Sequence, residues 1–204
     1  MTEIRLSTTD DAVAIAAIYE SAVRNSAISF ELVPPSPAEM SARISATLAF
    51  TPWLVCASGS HVLGYAYASK HRDRAAYQWS VEVSAYVRAD HHGRGVGAAL
   101  YTSLLAVLRL QGFRNAYAGI TLPNPASVAL HSKLGFARVG VFGKVGFKAG
   151  TWHDVLWLHR EIAPRDSNPE PPTILPALIG HSDYHAAIAE GLPMIARPAV
   201  QRER

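Results

Sequence analysis

The chain has 204 residues, of which 49% are hydrophobic and 17% are charged, and its formal net charge at pH 7 is +3. This length suffices for one domain with a sizeable core and leaves room for an appendage. No apolar run reaches the roughly 20 residues that a membrane-spanning helix needs. The mild positive charge, with no long Lys/Arg run, gives little support to nucleic-acid binding.

The single cysteine, Cys56, lies in an apolar stretch and is expected to be a buried, inert thiol. One cysteine allows no disulfide within the chain, and residues 1–11 lack the pattern of a secretory signal. Together these features predict a cytoplasmic protein.

The amino-terminal part predicts a strand, two helices and a β-hairpin. A short strand is expected over residues 3–7. Residues 8–11 form a capping-box pattern that starts the first helix, and Ser36, Pro37 and Glu39 mark the start of the second. Two strands over 53–58 and 61–69 follow, joined by a tight turn.

Residues 78–100 are the stretch around which the rest of the chain is organised. Apolar and polar side chains alternate from Gln78 to Val87, which predicts a strand over 78–87 whose two faces meet different environments. A glycine-rich turn follows at 93–97, and then a helix over 94–111, which Gly112 ends.

The glycine-rich turn of residues 93–97 predicts an anion-binding corner. Glycines let successive backbone N–H groups converge, and the helix start adds a partial positive charge, so a phosphate or pyrophosphate can be held there. The spacing fits neither a P-loop nor G-x-G-x-x-G. A tight connection without a ligand is the alternative.

The remaining elements complete a mixed α/β pattern. A strand is predicted over 116–122, a helix from Asn124 to near Gly135, and strands over 136–146 and 152–161. From residue 163 the composition changes, because seven of the thirteen prolines lie in residues 164–204. This segment is expected to be a disordered tail or an arm laid on the domain or on a partner, with a short helix near 182–190.

Several polar side chains are candidates for chemistry. Glu82 lies on the polar face of the central strand, where it is either a solvent-facing residue or a general base that deprotonates an amine. His131 lies on the helix after the 116–122 strand and is either structural or catalytic. Arg72 and Arg74 belong to a basic loop that is either solvated or able to hold a small anion. No metal site is expected.

In their order and spacing, eight stretches resemble the GNAT superfamily of N-acetyltransferases, and within it the phosphinothricin and methionine sulfone N-acetyltransferase family. The resemblance extends from residue 3 to about residue 162, which sets the expected domain at 1–162 and the arm at 163–204. The stretches are residues 77–82, 84–87, 93–97, 119–124, 127–131, 134–136, 146–148 and 152–155. One departure is His92, where the superfamily's pyrophosphate turn usually begins with Gln or Arg.

The resemblance implies an α/β (α+β) GNAT fold. Its mixed, mostly antiparallel central sheet would be flanked by helices and splayed between strands 78–87 and 116–122. Acetyl-CoA would lie in this splay as cosubstrate. The implied cofactor-binding residues are Ala85, Tyr86, Val87, Gly93, Arg94, Gly95, Val96, Gly97, Ala98 and Asn124.

The implied activity is acetyl transfer to the α-amino group of a small amino-acid-like substrate, of the phosphinothricin, methionine sulfone or methionine sulfoximine type. Transfer would be direct, in a ternary complex, with Glu82 as base and His131 protonating the departing thiolate. The residues expected to line the acceptor pocket are Phe30, Arg72, Arg74, Tyr77 and Ser84. A homodimer is also implied. A protein N-terminal or lysine acetyltransferase and a non-catalytic acyl-CoA-binding module remain as alternatives.

Overall fold

The computed structural model describes residues 2–195, which form a seven-stranded sheet with five α-helices. The strands are β1 (Thr2–Leu6), β2 (Trp53–Ser58), β3 (His61–Lys70), β4 (Ser80–Val87), β5 (Asn115–Thr121), β6 (Ala137–Lys148) and β7 (Thr151–Glu161). The helices are α1 (Ala12–Asn25), α2 (Pro37–Leu48), α3 (Val96–Gln111), α4 (Pro125–Lys133) and α5 (Ser182–Ala189).

The order of strands across the sheet is β1-β2-β3-β4-β5-β7-β6. Every neighbouring pair is antiparallel except β4 and β5, which run parallel and pair only from Ser80 to Glu82. Beyond Glu82 the two strands separate. The predicted mixed, mostly antiparallel sheet with a central splay is therefore confirmed.

The alternation in β4 divides its side chains between two hydrophobic clusters. Val81 and Val83 are buried in the cluster that includes Leu100 and Leu104 of α3. Tyr86 packs against the second cluster, which holds buried side chains of α1 and α2. The sheet is thus covered on both faces, as its two apolar surfaces require.

Two predicted helix boundaries are stabilised by the expected local interactions. The Ser36 hydroxyl accepts a hydrogen bond from the Glu39 N–H at 3.2 Å, and the Glu39 carboxylate accepts one from the Ser36 N–H at 2.7 Å. Gly112, with φ of 93°, ends α3 in the left-handed conformation that favours glycine.

One strand and one helix begin two residues later than the sequence predicts. The strand predicted from Gln78 begins at Ser80, because residues 75–77 form a 3₁₀ turn in which the Gln78 N–H donates to the Ala75 carbonyl at 3.0 Å. The helix predicted from residue 94 begins at Val96, because Gly95 has φ of 84° and cannot be its first helical residue.

Residues 164–195 pack against the domain. The Ser103 hydroxyl of α3 donates to the Ile188 carbonyl at 2.6 Å and accepts from the Gly191 N–H at 3.1 Å. Leu175 and Tyr184 are buried against the same helix. Residues 196–204 of the predicted arm lie outside the described residues, and the domain boundary at 162 stays a prediction. Between residues 2 and 195, no helix combines the length and the hydropathy of a membrane span.

Candidate active site

A cleft of about 1220 Å³ opens where β4 and β5 separate. Residues 83–87 of β4 line one side and Ala118 to Thr121 of β5 the other. Since β4 and β5 are paired only as far as Glu82, the backbone edge of residues 83–87 that faces β5 is left without a strand partner. Such an edge can pair with an extended ligand that carries amide groups.

Nine of the ten predicted cofactor-binding residues line this cleft, namely Ala85, Tyr86, Val87, Gly93, Gly95, Val96, Gly97, Ala98 and Asn124. The tenth, Arg94, is exposed on the turn and does not line it. The cleft also includes Ser84 and His131.

The glycine-rich turn places unpaired backbone donors at the start of α3. The first hydrogen bond within the helix is from the Ala99 N–H to the Gly95 carbonyl at 2.9 Å, so the N–H groups of residues 96–98 have no helical acceptor. No acidic side chain lies in the first turn of α3. These donors, with the helix dipole behind them, suit a phosphate or pyrophosphate group.

His92 fastens this turn to the end of β4. Its Nε2 donates to the Val87 carbonyl at 2.9 Å. A histidine at this position therefore serves a structural purpose and leaves the neighbouring backbone donors of α3 available.

Glu82 lies at the closed end of the cleft, in the last residue pair between β4 and β5, opposite Tyr117. Its Oε1 is 3.0 Å from Nδ1 of His71, and its side chain is 30% exposed. Glu82 itself does not line the cleft, but Ser84, two residues further on the same face of β4, does.

His131 is buried, and burial lowers its pKa below the ordinary value. Its Nδ1 is 2.8 Å from the Ser127 carbonyl, which can only accept, so Nδ1 carries the proton of the neutral ring. Nε2 then accepts from the Tyr101 hydroxyl, 3.1 Å away. The neutral ring consequently has no free N–H to donate into the cleft.

Asn124 caps α4, because its Oδ1 accepts from the Ser127 N–H at 3.1 Å. This bond engages the amide oxygen of Asn124, whereas its amide nitrogen makes no hydrogen bond within residues 2–195. The nitrogen is the group that remains to contact a ligand in the cleft.

Four of the five predicted acceptor residues do not line the cleft. Arg72, Arg74 and Tyr77 are exposed in the segment that precedes β4. Phe30 packs its ring over Gly146 of β6. Only Ser84 of this group lies in the cleft.

Two residues near the site were not singled out from the sequence. His71 contacts Glu82, and Tyr101 contacts His131. No local pattern marks them, because each acts on a residue distant in the sequence. Lys148, which belongs to the family-like stretch 146–148, donates to the carbonyls of Val23 and Ser29 at 2.7 and 2.6 Å.

Cys56 is fully buried, as expected, and burial raises its pKa to about 11. A thiol in this environment is a poor nucleophile at neutral pH, since the thiolate is the reactive form. A covalent acyl-cysteine route through Cys56 is therefore disfavoured.

Comparisons with known proteins agree with this geometry. Residues 4–157 match the family described as "Acetyltransferase (GNAT) domain". The chain is 40% identical to a phosphinothricin N-acetyltransferase of Alcaligenes faecalis over 166 residues, which are 80% of this chain and 84% of that protein. It is 35% identical to an L-methionine sulfoximine/L-methionine sulfone acetyltransferase of Pseudomonas paraeruginosa, over 76% of this chain and 91% of that protein.

Among solved structures, one similar chain is a GNAT superfamily phosphinothricin acetyltransferase from Sinorhizobium meliloti in complex with AcCoA. Its TM-score is 0.77 at 34% sequence identity, and the match covers 85% of this chain and 98% of that chain. The predicted fold is confirmed by this agreement.

Proposed function

The chain belongs to the GNAT acetyltransferase family, and we propose that it transfers an acetyl group to the α-amino group of a small amino-acid-like substrate. As a member of this family it is an acetyl-CoA-dependent N-acetyltransferase. The proposed acceptors are of the phosphinothricin, methionine sulfone and methionine sulfoximine type, which are named in its relatives. The observation that carries the proposal is the cleft between β4 and β5, which has Glu82 next to its closed end and the free N–H groups of residues 96–98 further along it.

The donor set fits acetyl-CoA, which supplies an activated acetyl group as a thioester. The N–H groups of residues 96–98 would hold its diphosphate, and the unpaired edge of residues 83–87 would pair with its amide-containing arm. Asn124 lines the same cleft, and its amide nitrogen is proposed to contact this arm. A backbone N–H near Val87 would polarise the reacting carbonyl.

Glu82 is proposed to take the proton from the acceptor amine, which must be neutral to attack a carbonyl. Transfer is proposed to be direct, with donor and acceptor held together in the cleft, since proximity supplies much of the acceleration. His131 is proposed to provide the proton for the departing sulfur in its protonated form: the Nε2–H bond breaks as the S–H bond forms, and the neutral ring that remains accepts the hydrogen bond of the Tyr101 hydroxyl. Burial, which disfavours the charged ring, favours this transfer.

The acceptor is proposed to bind at the Glu82 end of the cleft. Arg72 and Arg74 are exposed in the loop that follows β3, and within residues 2–195 neither is in a side-chain ion pair. Their guanidinium groups are therefore available for the anionic groups of an amino-acid-like acceptor. Phe30, Tyr77 and Ser84 are proposed to complete this pocket.

An assay of CoA release tests the proposal. The wild-type protein is offered acetyl-CoA with phosphinothricin, methionine sulfone, methionine sulfoximine, free amino acids and a peptide with a free amino terminus. Turnover with the first three supports the proposed acceptors, whereas turnover with the peptide alone would favour a protein acetyltransferase. Binding of acetyl-CoA without any turnover would favour a non-catalytic module.

Glu82→Gln should lower kcat by about 100-fold or more, the usual contribution of a general base, with little change in affinity for acetyl-CoA. Glu20→Gln, at an exposed carboxylate of α1, is the matched control and should behave as wild type. Unchanged turnover in Glu82→Gln would contradict the role of Glu82.

A homodimer is proposed from the surface of the β6–β7 hairpin. Five large apolar side chains of this hairpin are at least half exposed, namely Val139, Phe142, Val145, Phe147 and Trp152. The ring centroids of Phe147 and Trp152 lie 5.3 Å apart, and exposed apolar side chains in mutual contact are characteristic of a protein interface. Sedimentation equilibrium of the full chain should give twice the mass of one chain, and a monomer would contradict this proposal. The cytoplasmic location predicted from the sequence stays a prediction.

A further inference from the structure

We propose that His71 is a positioning residue for Glu82: it holds one carboxylate oxygen so that the other faces the acceptor amine. This inference rests on the proposed role of Glu82 as the base. It concerns a residue that neither the sequence motifs nor the cleft lining points to.

The contact between His71 and Glu82 is direct. Nδ1 of His71 lies 3.0 Å from Oε1 of Glu82, and the two side chains are 12% and 30% exposed. Because an ionised carboxylate can only accept, Nδ1 is the donor. Within residues 2–195 this is the one side-chain hydrogen bond of the Glu82 carboxylate.

The ring of His71 is itself held in place by aromatic neighbours. It stacks on Tyr117 with ring centroids 4.4 Å apart and an interplanar angle of 11°. Tyr77 and Trp157 contact it edge-on at 5.8 and 6.4 Å. Since Tyr117 is the β5 partner of Glu82, the strand pairing that closes the cleft also fixes this ring beside the carboxylate.

The two carboxylate oxygens of Glu82 therefore have different roles. Oε1 accepts the His71 hydrogen bond, which leaves Oε2 to receive the proton of the acceptor amine. As the O–H bond forms at Oε2, the N–H bond of the amine breaks, and its electron pair becomes available for attack. His71 keeps its own proton throughout.

Two substitutions separate the hydrogen bond from the packing. His71→Phe retains a flat ring against Tyr117 but has no donor, and it should lower kcat by about tenfold. The KM for acetyl-CoA should stay within twofold, because the cofactor residues are untouched. His71→Asn restores an N–H donor near the position of Nδ1 and should recover activity to within about threefold of wild type.

The exposed neighbour Asp73 provides a matched control, and Asp73→Asn should leave kcat unchanged. The decisive measurement is a double-mutant cycle, in which His71→Phe is introduced into Glu82→Gln. If His71 acts through Glu82, the second substitution causes no further loss beyond twofold.

Three results would overturn the inference: a folded His71→Phe protein with kcat within twofold of wild type, a His71→Asn protein as slow as His71→Phe, or an equal loss from His71→Phe in the Glu82→Gln background. Failure of the proposed function looks different. A Glu82→Gln protein with wild-type turnover removes the base and this inference together, whereas a Glu82-dependent enzyme that tolerates His71→Phe removes the inference alone.

Discussion

At the scale of single residues, burial decides the protonation state of His131. The ring is enclosed near Tyr101 and Ser127, and removal from water lowers its pKa. His159 is shifted in the same direction by burial. A buried neutral histidine binds a proton less readily in the folded state than in the unfolded state.

This difference predicts a pH dependence of folding. Because the folded pKa lies below the unfolded value of about 6.5, the stability contributed by a neutral His131 is fully present above pH 6.5 and is lost as the pH falls through the folded pKa. The free energy of unfolding should therefore rise with pH in the window just below 6.5. Urea denaturation at a series of pH values measures it, and His131→Asn should flatten the rise. An equally steep rise in the variant would contradict this assignment.

At the scale of elements, the carboxyl-terminal arm packs against α3, the helix that begins at the glycine-rich turn of residues 93–97. Gly191 lies directly against the Ala99 carbonyl, and Met194 places its carbonyl against Gly95 of the turn. The arm therefore packs along α3 as far as the turn at which this helix begins, and it also contacts Leu6 of β1.

Gly191→Ala should displace this arm, because a methyl group there would collide with the backbone of Ala99. The expected loss in the free energy of unfolding is about 1–3 kcal/mol, the usual range for overpacking. Gly143→Ala is the control, since a Cβ at Gly143 meets open space. Thermal unfolding of both variants measures the effect. Equal melting temperatures would show that the arm can shift without loss of stability.

At the scale of the whole molecule, the sheet consists of a four-stranded and a three-stranded part joined only along residues 80–82 of β4. A ligand that pairs with residues 83–87 adds hydrogen bonds to the edge of β4 that this division leaves unpaired. Acetyl-CoA at 100 times its Kd should raise the free energy of unfolding by about 2.7 kcal/mol.

Scanning calorimetry with acetyl-CoA tests this, and hydrogen exchange should show slower exchange in residues 83–87. Acetylated pantetheine, which lacks the diphosphate, serves as the comparison and should stabilise the protein less at equal concentration. If the two ligands stabilise the protein equally, the N–H groups of residues 96–98 do not hold the diphosphate.

The sequence predicted the local features best, because they depend on neighbouring residues. The capping box at Ser36, the glycine that ends α3 and the alternation in β4 all follow from spacing along the chain. The contact of His71 with Glu82 could not be predicted, because it depends on a ring stacked against β5. Placing Gln78 in β4 was wrong for a different, local reason, since alternation alone cannot separate the end of a 3₁₀ turn from the start of a strand.

The position of the short β4–β5 pairing has a mechanical consequence. The two parts of the sheet are joined at one end of the cleft. A small change in the angle between them would therefore move the far ends of β4 and β5 much more than the paired residues. Glu82 lies where the two parts are joined, and the glycine-rich turn lies further along the cleft. A change in the angle between the two parts would therefore alter the distances around Glu82 less than those beside the turn.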